Sequence, residues 1–144
     1  MELTIFTDGG ARGNPGPAAI GVVAYHGDDS IYQYSLPLGT QTNNTAEYLA
    51  LLSAVSWLIN YAQHNQLTQV TFKLDSELVV KQLNGQYKVK HPDLQLLHRM
   101  ATQQLANLNA QFPIDIQHVK RADNTHADAL VNQALDALLS PSQI

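Results

Sequence analysis

Four acidic residues stand where a folded chain could bring their carboxylates together: Asp8, Glu47, Asp75 and Asp128. Asp8 and Asp75 each follow a short stretch typical of a buried strand, so both can lie at one edge of a sheet. Glu47 and Asp128 each lie on the apolar face of a stretch with helical periodicity. Carboxylate oxygens suit hard divalent cations, and two such ions about 4 Å apart can activate water and stabilise a leaving oxygen. The set predicts metal-assisted phosphoryl chemistry, of which phosphodiester hydrolysis is one example.

Each acid also has a simpler structural interpretation. Asp8 precedes two glycines and could be a turn residue, and Asp75 could be the N-cap of the next helix. Asn44 as an N-cap with Glu47 three residues later forms a capping-box pattern. The face of Glu47 is nevertheless the apolar face of its helix, where a buried acid needs a partner or a metal. Asp128 could be a solvated helix acid.

The composition removes several other chemistries. The chain has no cysteine, which excludes a disulfide, a thiolate nucleophile and a thiolate metal site. None of its six histidines has the paired helical spacing of a zinc site. An aspartyl phosphatase would carry a second aspartate two residues after Asp8, but that position is Gly10. The net charge of -4 by itself argues against a nucleic-acid partner. It loses this force if four of the acids bind cations, because the cations neutralise their charge.

The elements that must position these acids are predicted in the order βββαβααβα. Three strands joined by short connections should pair as an antiparallel meander. Residues 9–17 hold four of the eight glycines and predict a loop shaped for close backbone approach. The 144 residues suit one domain, which we place at 1–139 with a tail at 140–144. The predicted strands are 2–8, 20–26, 31–38, 69–74 and 114–119, and the predicted helices are 44–64, 76–84, 92–109 and 125–139.

The start of the chain has neither a basic leader nor a long apolar segment, and no uninterrupted apolar run approaches the length of a membrane span. A chain without cysteine also needs no oxidising compartment. We therefore expect a cytoplasmic protein with no membrane partner, and we expect it to be a monomer.

Four motifs, in order and on matching elements, resemble the type 1 ribonuclease H family. The resemblance covers nearly the whole chain. It implies an α/β fold of the ribonuclease H type, with a five-stranded mixed sheet of three antiparallel strands and two parallel additions, flanked by helices. The motifs are Thr7-Asp8-Gly9-Gly10 with Gly13-Asn14-Pro15-Gly16, Thr42-Asn43-Asn44-Thr45-Ala46-Glu47, Leu74-Asp75-Ser76, and Asn124-Thr125-His126-Ala127-Asp128.

The resemblance also implies an activity and its residues. Mg²⁺, used as two ions and replaceable by Mn²⁺, would support cleavage of the RNA strand of an RNA/DNA hybrid, leaving a 3′-hydroxyl and a 5′-phosphate. The four acids match the metal-binding positions of the family. For Asn43 and Asn44, cap and turn chemistry competes with a binding role. The implied substrate contacts are Gly9, Gly10, Arg12, Asn14, Thr42, Asn43, Asn44, Lys88 and Lys90.

The chain departs from the family pattern in two places. Many members carry a histidine in the loop before the last acid, whereas residues 121–124 contain none, and Arg121 is the candidate replacement in catalysis. Larger members have a basic helical protrusion. In this chain the corresponding region, residues 84–91, is short and holds only Lys88 and Lys90 as basic residues besides His91. Two other interpretations stay open: a non-catalytic hybrid-binding module, disfavoured by the intact acid set, and a retroelement nuclease domain, disfavoured by Met1 and by an end close to the last helix.

Overall fold

The computed structural model describes residues 1–139, so the predicted tail at 140–144 lies outside the described residues. A short 3-10 helix spans Arg121–Asp123. The five strands are β1 (Glu2–Ala11), β2 (Gly16–His26), β3 (Asp29–Gln41), β4 (Gln69–Leu74) and β5 (Ile114–His118), and the four α-helices are α1 (Asn43–Ala62), α2 (Glu77–Leu83), α3 (Pro92–Asn109) and α4 (Thr125–Ala137).

The strands form one mixed sheet in the order β3-β2-β1-β4-β5. The first three strands pair antiparallel, and β4 runs parallel to both β1 and β5, which confirms the expected sheet. The last parallel pair between β1 and β4 is Thr7 with Leu74. Asp8 and Asp75 therefore both follow the final paired residue and lie at the same end of neighbouring strands.

The helices cover both faces of the sheet. α1 packs on one face, with α3 against it, and buries Leu51, Ala54, Val55 and Leu58 completely, as its apolar periodicity predicts. α4 packs on the other face, mainly over β2. Among residues 1–139, no helix is both long enough and apolar enough to cross a bilayer.

The glycine-rich segment is more regular than the sequence predicts. β1 continues past Asp8 to Ala11, since residues 8–11 still pair with residues 18–21 of β2. The connection shrinks to residues 12–15, and the prediction of a loop over 9–17 was wrong. β3 is likewise longer than predicted, at Asp29–Gln41. Backbone pairing continues into polar and small residues because the ladder requires only peptide groups, which apolar patterning does not report.

The helix starts also differ from the prediction. The N-cap of α1 is Thr42, whose side chain accepts a hydrogen bond from the Thr45 amide at 3.2 Å, so Asn44 is not the cap. The N-cap of α2 is Ser76 and not Asp75. The capping interpretations of Glu47 and Asp75 are therefore wrong. Elsewhere β4 and α3 have the predicted bounds, whereas α4 ends two residues early and β5 one residue early.

Gly9 allows the start of α1 to lie directly against β1. A Cβ atom at Gly9 would lie 2.2 Å from the carbonyl carbon and oxygen of Ala46 and 2.5 Å from the amide nitrogen of Glu47. All three are backbone atoms that cannot move without displacing the helix. At Gly10, a Cβ would only touch the Val131 side chain at 3.8 Å, which is ordinary contact.

We predict that Gly9→Ala destabilises the protein by at least about 1–3 kcal/mol, the usual cost of overpacking, because the new methyl group meets backbone. Gly10→Ala is the matched control and should change the free energy of unfolding by less than about 0.5 kcal/mol. Urea unfolding of both variants measures the difference. Equal midpoints for the two variants would show that the contact between β1 and α1 is not tight.

Candidate active site

Three acids meet where β1, β4 and the start of α1 converge. One carboxylate oxygen from each of Asp8, Glu47 and Asp75 lies within 4.8 Å of the others. Asp8 is 7% exposed and Glu47 is 5% exposed, and Asp75 is half-buried. Within residues 1–139 this is the one acid group with the spacing of a metal site. The structure thus brings together three of the four acids that the sequence singled out.

Glu47 has a buried oxygen that the protein does not satisfy. Its Oε1 atom accepts a hydrogen bond from the Gly9 amide at 3.0 Å, whereas Oε2 is buried without a hydrogen-bond partner in the described part of the chain. Leaving such an atom unpaired costs about 1–3 kcal/mol, and more for a charged group. A hard cation held by Asp8, Glu47 and Asp75 would satisfy it, and oxygen atoms are the ligands that Mg²⁺ and Mn²⁺ prefer. The residues therefore fit a divalent metal.

Burial makes the carboxyl groups of Asp8 and Glu47 hard to ionise without a cation. It raises the pKa of Asp8 from 3.8 to about 7, with the neighbouring Glu47 carboxyl group opposing the shift and the charges of Asp75 and Asp128 adding to it. Burial, followed by the charge of Asp8, also raises the pKa of Glu47 well above 4.5. Near neutral pH the metal-free pair therefore retains a proton, which a bound divalent cation would displace.

Asp128 lies beside the three acids but outside the close group. It lines the same cavity and is near enough to raise the pKa of Asp8. Its Oδ1 atom lies 3.7 Å from Nη2 of Arg121, and its Oδ2 atom accepts a hydrogen bond from Asn132 at 3.4 Å. Three of the four acids therefore meet at one point, as expected. Asp128, which projects from α4, lies outside this group.

The acids lie at the bottom of an open cavity of about 510 Å³. One wall consists of the backbone of residues 9–12, together with Asn43 and Asn44. The other wall consists of Arg121 and one side of α4. The predicted Gly9, Gly10 and Arg12 positions, the two asparagines and Arg121 therefore all face the site.

Two predicted substrate residues also hold the site together. Asn14 accepts a hydrogen bond from the Asn43 amide at 3.0 Å, and the side-chain oxygen of Asn43 accepts one from the Ala11 amide at 2.8 Å. These bonds fasten the turn at residues 12–15 to the start of α1. The amide oxygen of Asn43 therefore makes neither a cap nor a turn bond but joins the start of α1 to the end of β1, so the chain's own contacts hold this wall in place.

Arg12 and the basic connection occupy the edges of the cavity. The Arg12 guanidinium forms an ion pair with Asp136 at 2.6 Å and donates to Asn132 at 3.2 Å, so it links the turn to α4. Lys88 and Lys90 are exposed and line a second groove, which shares Asn44 with the acid cavity. The two lysines therefore provide positive charge on the surface that continues from the acid cavity past Asn44.

Two residues at the site carry roles that the sequence reasoning did not assign. Asn132 contacts both Arg12 and Asp128, and Asn124 is buried directly behind Asp75. Asn124 belongs to one of the motifs that resemble the family, but no role was predicted for it. The polar face of α4 gave no separate signal for Asn132.

Comparison with known proteins agrees with this architecture. A family model described as RNase H matches residues 1–136. A bifunctional protein of Mycobacterium tuberculosis is 42% identical over 140 residues, which are 95% of this chain and 36% of that protein. A Ribonuclease HI of Halobacterium salinarum is 39% identical over 132 residues, which are 91% of this chain and 63% of that protein. The chain thus spans less than two thirds of these relatives.

Solved structures show the same similarity. LC11-RNase H1, isolated from compost by a metagenomic approach, superposes with a TM-score of 0.88 at 39% identity, covering 96% of this chain and 99% of that one. The same enzyme in complex with an RNA/DNA hybrid superposes with a TM-score of 0.85 at the same identity and coverage.

We predict that the metal-free protein loses stability as the pH rises from about 4 to 7. The folded pKa of Asp8, about 7, exceeds its unfolded value of 3.8, so the folded state binds more protons in this window and its free energy of unfolding falls with pH. Asp8→Asn removes this penalty and should raise the stability at pH 8 by about 1 kcal/mol or more, roughly 4 °C in Tm.

Thermal unfolding in EDTA at pH 5 and pH 8 measures this effect, and Asp29→Asn, an exposed acid on β3, is the control. The control should follow the pH dependence of the native chain. If Asp8→Asn is less stable than the native chain at pH 8, the claim that a buried, ionised Asp8 destabilises the metal-free protein is wrong.

Proposed function

The chain belongs to the RNase H family and to its type 1 branch, and on that premise we propose that it is a metal-dependent endoribonuclease that cuts the RNA strand of RNA/DNA hybrids. The observation that carries the proposal is the group of buried acids with an unsatisfied Glu47 oxygen at the bottom of an open cavity. A module that only bound hybrids would gain nothing from burying these charges, since they repel phosphate.

The cofactor in this proposal is Mg²⁺, with Mn²⁺ as a substitute. Asp8, Glu47 and Asp75 would hold a first ion, and Asp128 with Asp8 would complete the site for a second. Bound divalent ions supply an activated water and neutralise the charge that develops on the leaving oxygen. The chain itself supplies the carboxylates, their burial and the Gly9 hydrogen bond that fixes Glu47.

The hybrid would lie across the mouth of the cavity. Residues 9–12, Asn43 and Asn44 line the cavity and, together with Asn14, would contact the minor groove, where 2′-hydroxyl groups distinguish RNA from DNA. Thr42 would contact a phosphate of the DNA strand, and Lys88 and Lys90 would contact the hybrid from the neighbouring groove. A similar enzyme, LC11-RNase H1, is known in complex with an RNA/DNA hybrid, which supports this substrate.

Arg121 takes the place of the loop histidine in this proposal. Its side chain is 84% exposed at the cavity edge, and its guanidinium lies 3.7 Å from Asp128. Arginine stays charged at all relevant pH values and binds phosphate oxygens through several donors. It would therefore hold the scissile or the adjacent phosphate and would not carry a proton.

The direct test uses a hybrid labelled separately on its RNA and DNA strands. We expect Mg²⁺ to support cuts in the RNA strand alone, with 3′-hydroxyl and 5′-phosphate ends, and EDTA to abolish them. Asp8→Asn keeps the side-chain shape but removes a ligand charge, so turnover should fall at least about a thousandfold, corresponding to several kcal/mol of barrier.

Asp29→Asn is the matched control, because it removes one exposed acid outside the cavity, and its turnover should equal that of the native chain. Hybrid cleavage that persists in EDTA, or an Asp8→Asn protein with native turnover, would reject the metal-dependent activity.

A further inference from the structure

Asn124 lies behind the acid site, where β1, β4 and α4 meet. It is 1% exposed and is one of the largest fully buried side chains of the described residues. Its Nδ2 atom donates one hydrogen bond to the Thr7 carbonyl at 2.9 Å and another to Oδ2 of Asp75 at 3.1 Å. A single buried amide group therefore links the end of β1 to a proposed metal ligand.

The chemistry of its two neighbours fixes the orientation of this amide. A backbone carbonyl and a carboxylate can only accept hydrogen bonds, so the NH₂ group of Asn124 must face them and each of its hydrogens has one acceptor. Its Oδ1 atom is buried without a hydrogen-bond partner among residues 1–139. The side chain thus holds Thr7 and Asp75 although this position leaves its own oxygen unsatisfied, which is unfavourable for folding.

Asn124 also does not perform the usual task of an asparagine at a helix start. It is the N-cap residue of α4, where asparagine commonly accepts a hydrogen bond from the first turn, but its side chain makes no capping bond. Its backbone carbonyl accepts the Asp128 amide at 3.1 Å. One residue therefore contacts β1 immediately before Asp8, contacts Asp75 itself and begins the helix that carries Asp128.

We propose that Asn124 is a positioning residue for the metal site, which holds the Asp75 carboxylate at a fixed angle and distance from Asp8. Serine or threonine has only one donor, and an ionised aspartate has none and would add a negative charge beside the acids, so none of the three could make both bonds. Groups that hydrogen-bond a metal ligand orient it and commonly change metal affinity 10- to 100-fold, roughly, when removed. The inference rests on the proposed metal-dependent function.

The test measures Mn²⁺ binding to the whole chain without nucleic acid, by counting free Mn²⁺ with electron paramagnetic resonance. Asn124→Ala should raise the Mn²⁺ Kd about tenfold or more at a temperature where circular dichroism shows a folded protein. Asn84→Ala is the control, because the Asn84 amide also donates to a strand carbonyl, that of Ile116 at 3.3 Å, but lies away from the acids. Its Kd should be unchanged.

A second comparison separates positioning from general stabilisation. If Asn124 acts through Asp75, Asn124→Ala should change the Kd less than twofold in an Asp75→Asn background, since the ligand that it orients is already lost. Asn124→Ser, which retains one donor and disturbs packing less, is measured beside it, with an intermediate Kd expected. An unchanged Kd in Asn124→Ala, or an equal loss in both backgrounds, would overturn the proposal.

The outcome also separates this inference from the proposed function. A native chain that binds no Mn²⁺ would contradict the metal-dependent function itself. A native chain that binds Mn²⁺ as tightly as Asn124→Ala would contradict only the role of Asn124, because the three acids would then hold the ion without it.

Discussion

The site depends on the direct contact between β1 and the first turn of α1. Gly9 leaves room for the backbone of Ala46 and Glu47 where any side chain would collide, and the Gly9 amide then binds the Glu47 carboxylate. Without this approach Glu47 would remain a surface acid of α1. With this contact, the carboxylates of Asp8 and Glu47 are buried side by side at the end of β1, and the other residues of the cavity surround them.

This arrangement of buried acids lowers the stability of the metal-free protein. Buried acids lose hydration and, to a smaller extent, repel one another, which is why the pKa values of Asp8 and Glu47 rise. Proteins commonly retain such unfavourable groups where function requires them, and compensate elsewhere. Here the compensation is the fully buried apolar face of α1 on the sheet and the polar bonds of Asn14 and Asn43, which fix the cavity wall.

The sequence predicted the element order and the acids at the ends of β1 and β4, because apolar periodicity determines these features, and the resemblance to the family implied the mixed sheet. It failed where the deciding interaction joins distant segments. Gly9 to Ala11 pair with β2, Glu47 binds β1 instead of capping α1, and Asn124 turns from its own helix towards two strands. Such contacts depend on the packed fold, so the local pattern indicated a loop at residues 9–11 and a capping box at Glu47, and it assigned no role to Asn124.

The central claim is that Asp8, Glu47 and Asp75 together bind a divalent cation. Its most direct test is anomalous X-ray scattering from crystals of the chain soaked in Mn²⁺, because the signal locates the ion independently of any activity. The account predicts a manganese peak within about 2–2.5 Å of an oxygen from each of the three carboxylates. Soaked crystals with no peak between these residues, or with manganese bound only elsewhere on the chain, would contradict it.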